Sequence, residues 1–317
     1  MSSATRMSDE TRGMWLGVLG VLCFGITLPM TRLATGAEAD PQLSPWFVTL
    51  ARAALAGCLS VVFLLSTRSP VPARQHWRPL ALSALGNAIG YPLMLGYALR
   101  VVTAGHAAVI TALLPLVTAV VAAWVLHQRA RLGFWVCAVA GSALVVIFSV
   151  LRAHQGGHAL GFEWADVLLL IAVFAASVGY IYGAQVTPAL GAERVICWVC
   201  VMVLPFTLPG AVLLWPEHSV RASAWGGLVY VGVVSMWAGF FAWFRGLAIG
   251  GALRVSQAQL LQPFFSIFAA ALLLGEPLDA TTLGFAAAVV IAVLLGKQFS
   301  RPVPALQAAA ATTAHKL

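Results

Sequence analysis

Residues 99–126 read LRVVTAGHAAVITALLPLVTAVVAAWVL, and residues 247–274 read LAIGGALRVSQAQLLQPFFSIFAAALLL. The two segments have the same length, and shifting the first by 148 positions places Pro115 on Pro263 among seven identical pairs. Each segment is mostly apolar and exceeds the roughly 20 residues that a helix needs to cross a bilayer. The pattern therefore predicts an internal repeat built from membrane-spanning helices.

Apolar spans of this kind fill the whole chain, which is 61% hydrophobic and only 9% charged. Soluble domains carry about 25% charged residues, so this composition excludes a soluble globular protein. The spans are longer than barrel strands and lack their alternating pattern. The sequence predicts an all-α integral membrane protein with ten transmembrane helices. The expected spans are about 13–34, 45–66, 79–101, 104–126, 132–151, 165–187, 194–215, 223–247, 251–275 and 280–298.

Charged residues divide unequally between the connections of these ten spans. With a cytoplasmic N-terminus, 13 of the 18 Lys and Arg residues lie on the cytoplasmic side and four lie outside. Seven of the ten acids, Asp166 among them, fall in the outer connections. This is the asymmetry of the positive-inside rule, so both termini are predicted to be cytoplasmic in a cell (inner) membrane protein. The net charge of +8 is then loop charge facing anionic lipid, and nucleic-acid binding is not expected.

The longest outer connection, around residues 154–163, divides the spans into five and five. Because five is odd, two copies of such a repeat must enter the membrane from opposite sides. Two inverted five-helix repeats, with a substrate site between them near the midplane, are typical of secondary transporters. The expected parts are a cytoplasmic N-tail (1–12), a first repeat (13–151), a second repeat (164–299) and a cytoplasmic C-tail (300–317).

Polar side chains inside the spans are costly in lipid and are expected to face the interior of the bundle. Thr111, Pro115 and Thr118 share one face of the fourth span, and Gln259 and Pro263 occupy matching positions in the ninth. The alternative is that hydroxyls bond to their own helix and that amides join neighbouring helices. The predicted substrate cavity is lined by Asn87, Tyr91, Thr111, Thr118, Tyr180, Trp237, Gln259 and Gln262, with Pro115 and Pro263 as helix kinks.

Three ionisable residues are candidates for a charge or coupling role: Arg52, His106 and Glu276. Arg52 lies about two turns inside the second span, where it either attracts an anionic group such as a substrate carboxylate or extends outward to the interface or to helix-end carbonyls. His106 is expected at the outer mouth of the fourth span, and Glu276 at the outer end of the ninth. Proton coupling, exchange and facilitated diffusion all stay open.

Enzyme motifs are missing from the sequence, which contains no HExxH motif, P-loop or nucleophile elbow. Cys197 and Cys200 form a CxxC without a second pair at zinc spacing. Catalytic residues, cofactors and metals are therefore not expected. A non-transporting membrane sensor or scaffold, or a lipid-handling membrane enzyme, is the alternative, and the short tails offer it no soluble module. The expected partners are a small-molecule substrate and membrane lipid, for a monomer or a homodimer.

The ends of the two repeats resemble the drug/metabolite transporter superfamily, specifically its EamA-type members. Such families show a helix rich in small residues, with a central proline, that closes on Leu-Gly-Glu. The second repeat carries this close at residues 274–276, whereas the first departs from it with Leu-His-Gln at residues 126–128, so no role of the glutamate carries over to the first half. The resemblance implies ten helices with cytoplasmic termini, and an arginine is common in the family at the position of Arg52. It also implies transport, often export, of a small metabolite or drug-like solute, with amino acids and amines among the solutes handled.

Overall fold

The backbone is helical over most of its described length, apart from turns and one small hairpin. The hairpin consists of two antiparallel strands, β1 (Gly36–Ala37) and β2 (Asp40–Pro41). The structure is a computed structural model that describes residues 9–125, 132–155, 164–250 and 256–299.

The helices of the N-terminal half lie where the sequence predicts apolar spans. The second span begins and ends at its predicted residues, and its start is fixed by Ser44, which accepts a hydrogen bond of 3.1 Å from the backbone N–H of Phe47. The elements are α1 (Asp9–Gly25), α2 (Thr27–Thr35), α3 (Pro45–Ser66), α4 (Arg74–Ala84), a π-helical segment (Leu85–Gly90), α5 (Tyr91–Val101), α6 (Ala104–Thr111), α7 (Leu114–Val125) and α8 (Leu132–Gln155).

The C-terminal half contains a second π-helical segment and a 3₁₀ segment before its penultimate helix. The end of that helix is set by Gly275, whose φ of 68° is left-handed, a conformation that only glycine adopts readily. The elements are α9 (Trp164–Leu190), α10 (Ala192–Leu213), α11 (Ala222–Val229), the π-helical segment (Tyr230–Ala238), α12 (Gly239–Gly250), the 3₁₀ segment (Ser256–Leu261), α13 (Gln262–Leu274) and α14 (Ala280–Phe299).

Helix length and surface composition both agree with a multi-pass membrane protein. Large apolar side chains such as Leu65, Phe206, Leu213 and Leu272 are exposed on outer helix faces, where a soluble protein would have polar groups. The count of ten crossings stays a prediction, because five helical segments are by length and composition sufficient to span a bilayer. These are Thr11–Thr35, Pro45–Ser66, Trp164–Leu190, Ala192–Leu213 and Ala222–Gly246, beside shorter apolar helices at Ala104–Thr118, Trp135–Val145, Ala258–Leu274 and Ala280–Ala292.

The two halves pack against each other through matching helices. In the N-terminal half α1 packs on α12, α3 on α10, and α8 on α14 of the other half. Helices α4 and α5 pack on α9, and α6 packs on α13. If each helix is numbered by its span, these pairs are 1 with 8, 2 with 7, 3 with 6, 4 with 9 and 5 with 10. Exchanging the halves replaces each span by the one five places away in the numbering, so that 1 with 8 becomes 6 with 3. The set of pairs is unchanged by this exchange.

Irregular helix geometry also recurs at a spacing of 148 residues. The first π-helical segment ends at Gly90 and the second at Ala238. A break in the fourth span precedes the start of α7 at Leu114, and the 3₁₀ segment in the ninth precedes the start of α13 at Gln262. The repeated proline is therefore the second residue of a new helix in each half.

One sequence-based prediction needs correction, while the helix kinks at Pro115 and Pro263 stay predictions. Each proline is the second residue of the helical segment that follows an interruption, where a missing N–H costs little. Asp166 is not a loop acid: it lies in the first turn of α9 with only 1% of its surface exposed.

Candidate functional site

A small cavity lies between the two broken helices, where the fourth and ninth spans meet. Its volume is about 10 Å³, roughly the room that one water molecule needs. Both halves of the chain contribute side chains to it. The lining residues are Thr111, Ala112, Leu114, Gln259, Gln262 and Pro263.

Two predicted site residues, both threonines, use their hydroxyls in local or interhelical hydrogen bonds instead of offering free polar groups to this cavity. Thr111 reaches the cavity, but its hydroxyl donates to the carbonyl of Ala107, 2.8 Å away in its own helix. Thr118 donates to the hydroxyl of Ser177 at 3.1 Å, which joins α7 to α9. For both threonines the structure favours the alternative of helix bonding over solute contact.

Asn87 lies in the first π-helical segment and packs tightly on α9. A Cβ atom placed on Gly179 would come within 2.5 Å of the Asn87 amide carbon. The amide nitrogen of Asn87 is 3.4 Å from the hydroxyl of Ser83. Trp237, in the second π-helical segment, stacks with Phe241 at a centroid distance of 4.6 Å, and its indole N–H is buried without a hydrogen-bond partner. The structure does not bring Asn87 or Trp237 to the cavity between the broken helices.

Arg52 lies in α3 and is only 3% exposed. Its Nε and Nη1 atoms have no hydrogen-bond partner. Its burial disfavours the alternative in which this side chain extends outward, and among the described residues neither Nε nor Nη1 bonds a helix-end carbonyl. Two predicted site residues, Tyr91 and Tyr180, are near enough for their ionisation to act on this guanidinium, as is Cys200. Arg52, Tyr91 and Tyr180 come from α3, α5 and α9, and therefore from both halves.

Glu276 fixes the start of α6 from the other half of the chain. Its two carboxylate oxygens accept hydrogen bonds from the backbone N–H groups of Ala104 and Gly105, at 2.8 and 2.9 Å. A carboxylate at a helix N-terminus is favoured by the free N–H groups and the helix dipole. Because Gly275 ends α13 in a left-handed turn, the next residue points toward α6. The Leu-Gly-Glu ending thus connects the ninth span to the fourth.

His106 and Asp166 form a buried pair close to this cap. Nε2 of His106 lies 2.7 Å from Oδ1 of Asp166, and their side chains are 9% and 1% exposed. The ring of His106 also packs on Phe148, at a centroid distance of 5.0 Å. His106 is therefore not at an open mouth of its span, because it is enclosed where α6 meets α9.

Sequence reasoning missed Asp166 and Arg32 as structural partners in this region. Arg32, near the end of α2, donates to the carbonyls of Leu99 and Val102 at the end of α5, the second at 2.9 Å. The outer connections were expected to hold solvated charges, and nothing local in the sequence pairs residues so far apart. The sequence did carry a signal for Asp166, because an acid in the first turn of a helix is stabilised there by the helix dipole and the free backbone N–H groups.

Parts of the predicted site fall outside the described residues. Residues 126–131 include the departure of the first repeat from the Leu-Gly-Glu ending, and residues 251–255 precede the 3₁₀ segment. Pro115 is described by its backbone only. Within the described ranges, no group of three or more His, Cys, Asp or Glu side chains could hold a metal ion.

Comparison with known proteins places these features in a family. The sequence model of the EamA-like transporter family matches residues 11–150 and again residues 163–296. The chain is 37% identical over 297 residues to YdeK of Bacillus subtilis (strain 168), described as an uncharacterized transporter, with 93% of this chain and 100% of the relative covered.

A second relative is more distant but carries a more specific description. The chain is 28% identical over 276 residues to a probable terminal-alkyne amino-acid exporter of Streptantibioticus cattleyicolor, covering 84% of this chain and 86% of the relative. A solved structure titled only as the crystal structure of a protein superposes with a TM-score of 0.60 at 20% identity. It covers 92% of this chain and 98% of its own, and it supports the fold alone.

Proposed function

This chain belongs to the EamA-like transporter family, and from that membership we propose that it is a secondary transporter moving a small solute by alternating access. The membership confirms the resemblance seen in the repeat ends. The family and the transporter-named relatives support a multi-pass membrane transporter rather than an enzyme. The observation that supports alternating access is the cavity between the two broken helices, to which each half contributes.

The proposed architecture is ten crossings arranged as two inverted five-helix repeats around this cavity. Three observations support it: the two ranges matched by the family model, the 148-residue spacing of the helix breaks, and the packing pairs that are unchanged when the halves are exchanged. Discontinuous helices at corresponding positions of two repeats typically mark the binding site of secondary transporters. The proposed topology has both termini in the cytoplasm.

The small size of the cavity supports the proposal of alternating access. At about 10 Å³ it has no room for a metabolite, so this conformation is closed around the site. Rocking one half against the other would widen the contact between α6 and the 3₁₀ segment. Gln259 and Gln262 would then offer amide donors and acceptors to a solute, while Leu114 and Pro263 would contact its apolar part.

The proposed solutes are amino acids or amines, and the proposed direction is export. Support comes from the relative described as an amino-acid exporter, and from a lining that combines two amides with apolar side chains. A site built to hydrogen-bond a polar headgroup discriminates strongly against analogues that lack it.

The experiment is transport in vesicles reconstituted with the purified full chain, using a panel of labelled amino acids and amines. We expect at least one solute to move, and Gln259→Ala and Gln262→Ala to lower its rate about tenfold or more, because a buried hydrogen bond is worth about 0.5–1.5 kcal/mol and its orphaned partner costs more. The matched control is Gln185→Ala, an exposed glutamine of α9. If no solute moves, the transport proposal is wrong; if both cavity variants behave like the control, the cavity is not the route.

A further inference from the structure

Arg52 is a buried cation without a counter-ion among the residues that the structure describes. It is the eighth residue of α3, about 10 Å along the axis from the helix start at 1.5 Å per residue. In the described ranges no acid lies within ion-pair distance of it, and two of its three guanidinium nitrogens have no hydrogen-bond partner. An unpaired charge within a membrane bundle is expensive and marks a functional site when no protein partner compensates it.

The groups around Arg52 indicate the charge and the shape that a ligand of this guanidinium should have. Tyr91, Cys200 and Tyr180 are near enough for their ionisation to act on this guanidinium, and the neutral tyrosine hydroxyls are hydrogen-bond donors. A cationic group would be repelled here, and a neutral group would leave the charge uncompensated. A carboxylate matches the planar guanidinium through two parallel hydrogen bonds and can accept others from the tyrosines.

Leu114 links the two tyrosines to the cavity between the broken helices. Tyr91 and Tyr180 pack in one cluster with Leu114, and Leu114 lines the cavity beside Gln262. When the two breaks separate, a solute that enters along this cluster could place one end near Arg52 and the tyrosine hydroxyls and the other against the glutamines.

We infer that Arg52 binds the carboxylate of the transported solute, with Tyr91 and Tyr180 as neighbouring donors. The inference rests on the proposed transport function and names the class of its substrate: small molecules that carry a carboxylate, such as amino acids. Because α3 and α5 belong to one half and α9 to the other, the bound carboxylate would connect the halves during the transport cycle.

The first test compares ligands on the unaltered protein and needs no variant. The thermal unfolding temperature of the purified full chain is measured with the proteinogenic amino acids, their carboxamides and the amines left after decarboxylation. A ligand that binds only the folded protein raises this temperature. We expect the compounds that raise it to carry a carboxylate. The inference is overturned if an amide or amine raises it as much as its parent acid, or if no acid raises it.

The second test uses variants with the acid that gives the largest shift. We expect Arg52→Gln to raise the concentration needed for half of that shift about tenfold or more, and Arg52→Lys to restore part of the binding, because lysine keeps the charge without the planar fork. The matched control is Arg32→Gln, since Arg32 already bonds two carbonyls. Unchanged acid binding by Arg52→Gln overturns the inference. If this variant does not fold, Tyr180→Phe and the ligand comparison still decide.

The vesicle assay separates this inference from the transport proposal. If acids bind but neither they nor any other solute crosses the membrane, transport is wrong and the Arg52 site stands. If amines or neutral solutes are transported while acids do not bind, the Arg52 site is wrong and transport stands.

Discussion

The pairs formed by His106 and Arg221 show how burial changes what an ion pair of a given N···O distance contributes to stability. The His106–Asp166 pair and the Arg221–Asp40 pair both have an N···O distance of 2.7 Å. The first is 9% and 1% exposed, whereas the second is 65% and 48% exposed. Solvent screens the exposed pair, so only the buried one should contribute measurably to stability.

We expect a double-mutant cycle of His106→Ala and Asp166→Ala to give a coupling energy of about 1.5–3 kcal/mol, the range for a buried hydrogen bond to a charged group. The same cycle on Arg221→Ala and Asp40→Ala, as the matched control, should give about 0–1 kcal/mol. The measurement is the free energy of unfolding of the detergent-solubilised protein, and the cycle cancels the other contacts of each residue. Simple additivity of the His106 and Asp166 effects would contradict the structural role of the pair.

Residue types in the sequence indicated which side chains are special but not which partner each one has. Arg52 was recognised from its depth in an apolar span, and its lack of a protein partner is visible only in three dimensions. Glu276 was placed at a helix end by its motif. Its partners, the N–H groups of Ala104 and Gly105, lie 172 and 171 residues away in sequence. Contacts of this separation depend on how the halves pack, which no local pattern encodes.

At the scale of elements, the close approach of α9 to the first π-helical segment depends on glycines. A Cβ atom on Gly86 would lie 2.8 Å from the backbone nitrogen of Gly179 and would also collide with the carbonyl oxygen of Ala175. A similar approach joins α1 and α12, where a Cβ on Gly246 would lie 2.8 Å from the carbonyl oxygen of Gly13. At both places glycine lets two helix backbones approach more closely than any larger residue would allow.

Gly86→Ala should therefore lower the free energy of unfolding by about 1–3 kcal/mol, the usual cost of inserting a methyl group into a packed interface. The obstacle is backbone on the facing helix, which cannot rotate away. The matched control is Gly226→Ala in α11, where an added Cβ meets nothing within 4 Å and alanine is the better helix former by about 1 kcal/mol. Thermal unfolding checks both. Equal unfolding temperatures for the two variants would mean that α9 is not held this closely.

Helix bounds follow well from apolar runs, whereas interruptions within helices do not. The limits of α3 follow from Ser44 and Pro45, which are local signals for a helix start. The π-helical segments leave no comparable signal, because one extra residue per turn barely alters an apolar pattern. The prolines did signal the broken spans. Each of them is the second residue of the helical segment that follows the interruption.

At the scale of the whole molecule, the repeat is what connects sequence to mechanism. Its N-terminal and C-terminal copies share few identical residues, yet their irregular segments recur 148 residues apart and their helices pack in exchangeable pairs. The sequence predicted the repeat from paired prolines and an odd span count. It could not predict that the cavity is nearly closed, because the volume depends on how the two breaks meet.

Inversion of the repeat makes a prediction about two equivalent loops. Arg68 follows the second span and Glu217 follows the seventh, so they occupy corresponding places in the two copies, and both are exposed. If the copies are inverted, these loops face opposite sides of the membrane. After replacement of the five free cysteines by alanine, Glu217→Cys should react with a membrane-impermeant maleimide in intact cells, and Arg68→Cys only after permeabilisation.

Glu38→Cys and Gln75→Cys, at other exposed positions, are the outer and inner controls. Labelling of Arg68→Cys and Glu217→Cys from the same side would mean that the copies are parallel, and a pseudo-two-fold axis in the membrane plane could not then relate the two broken helices.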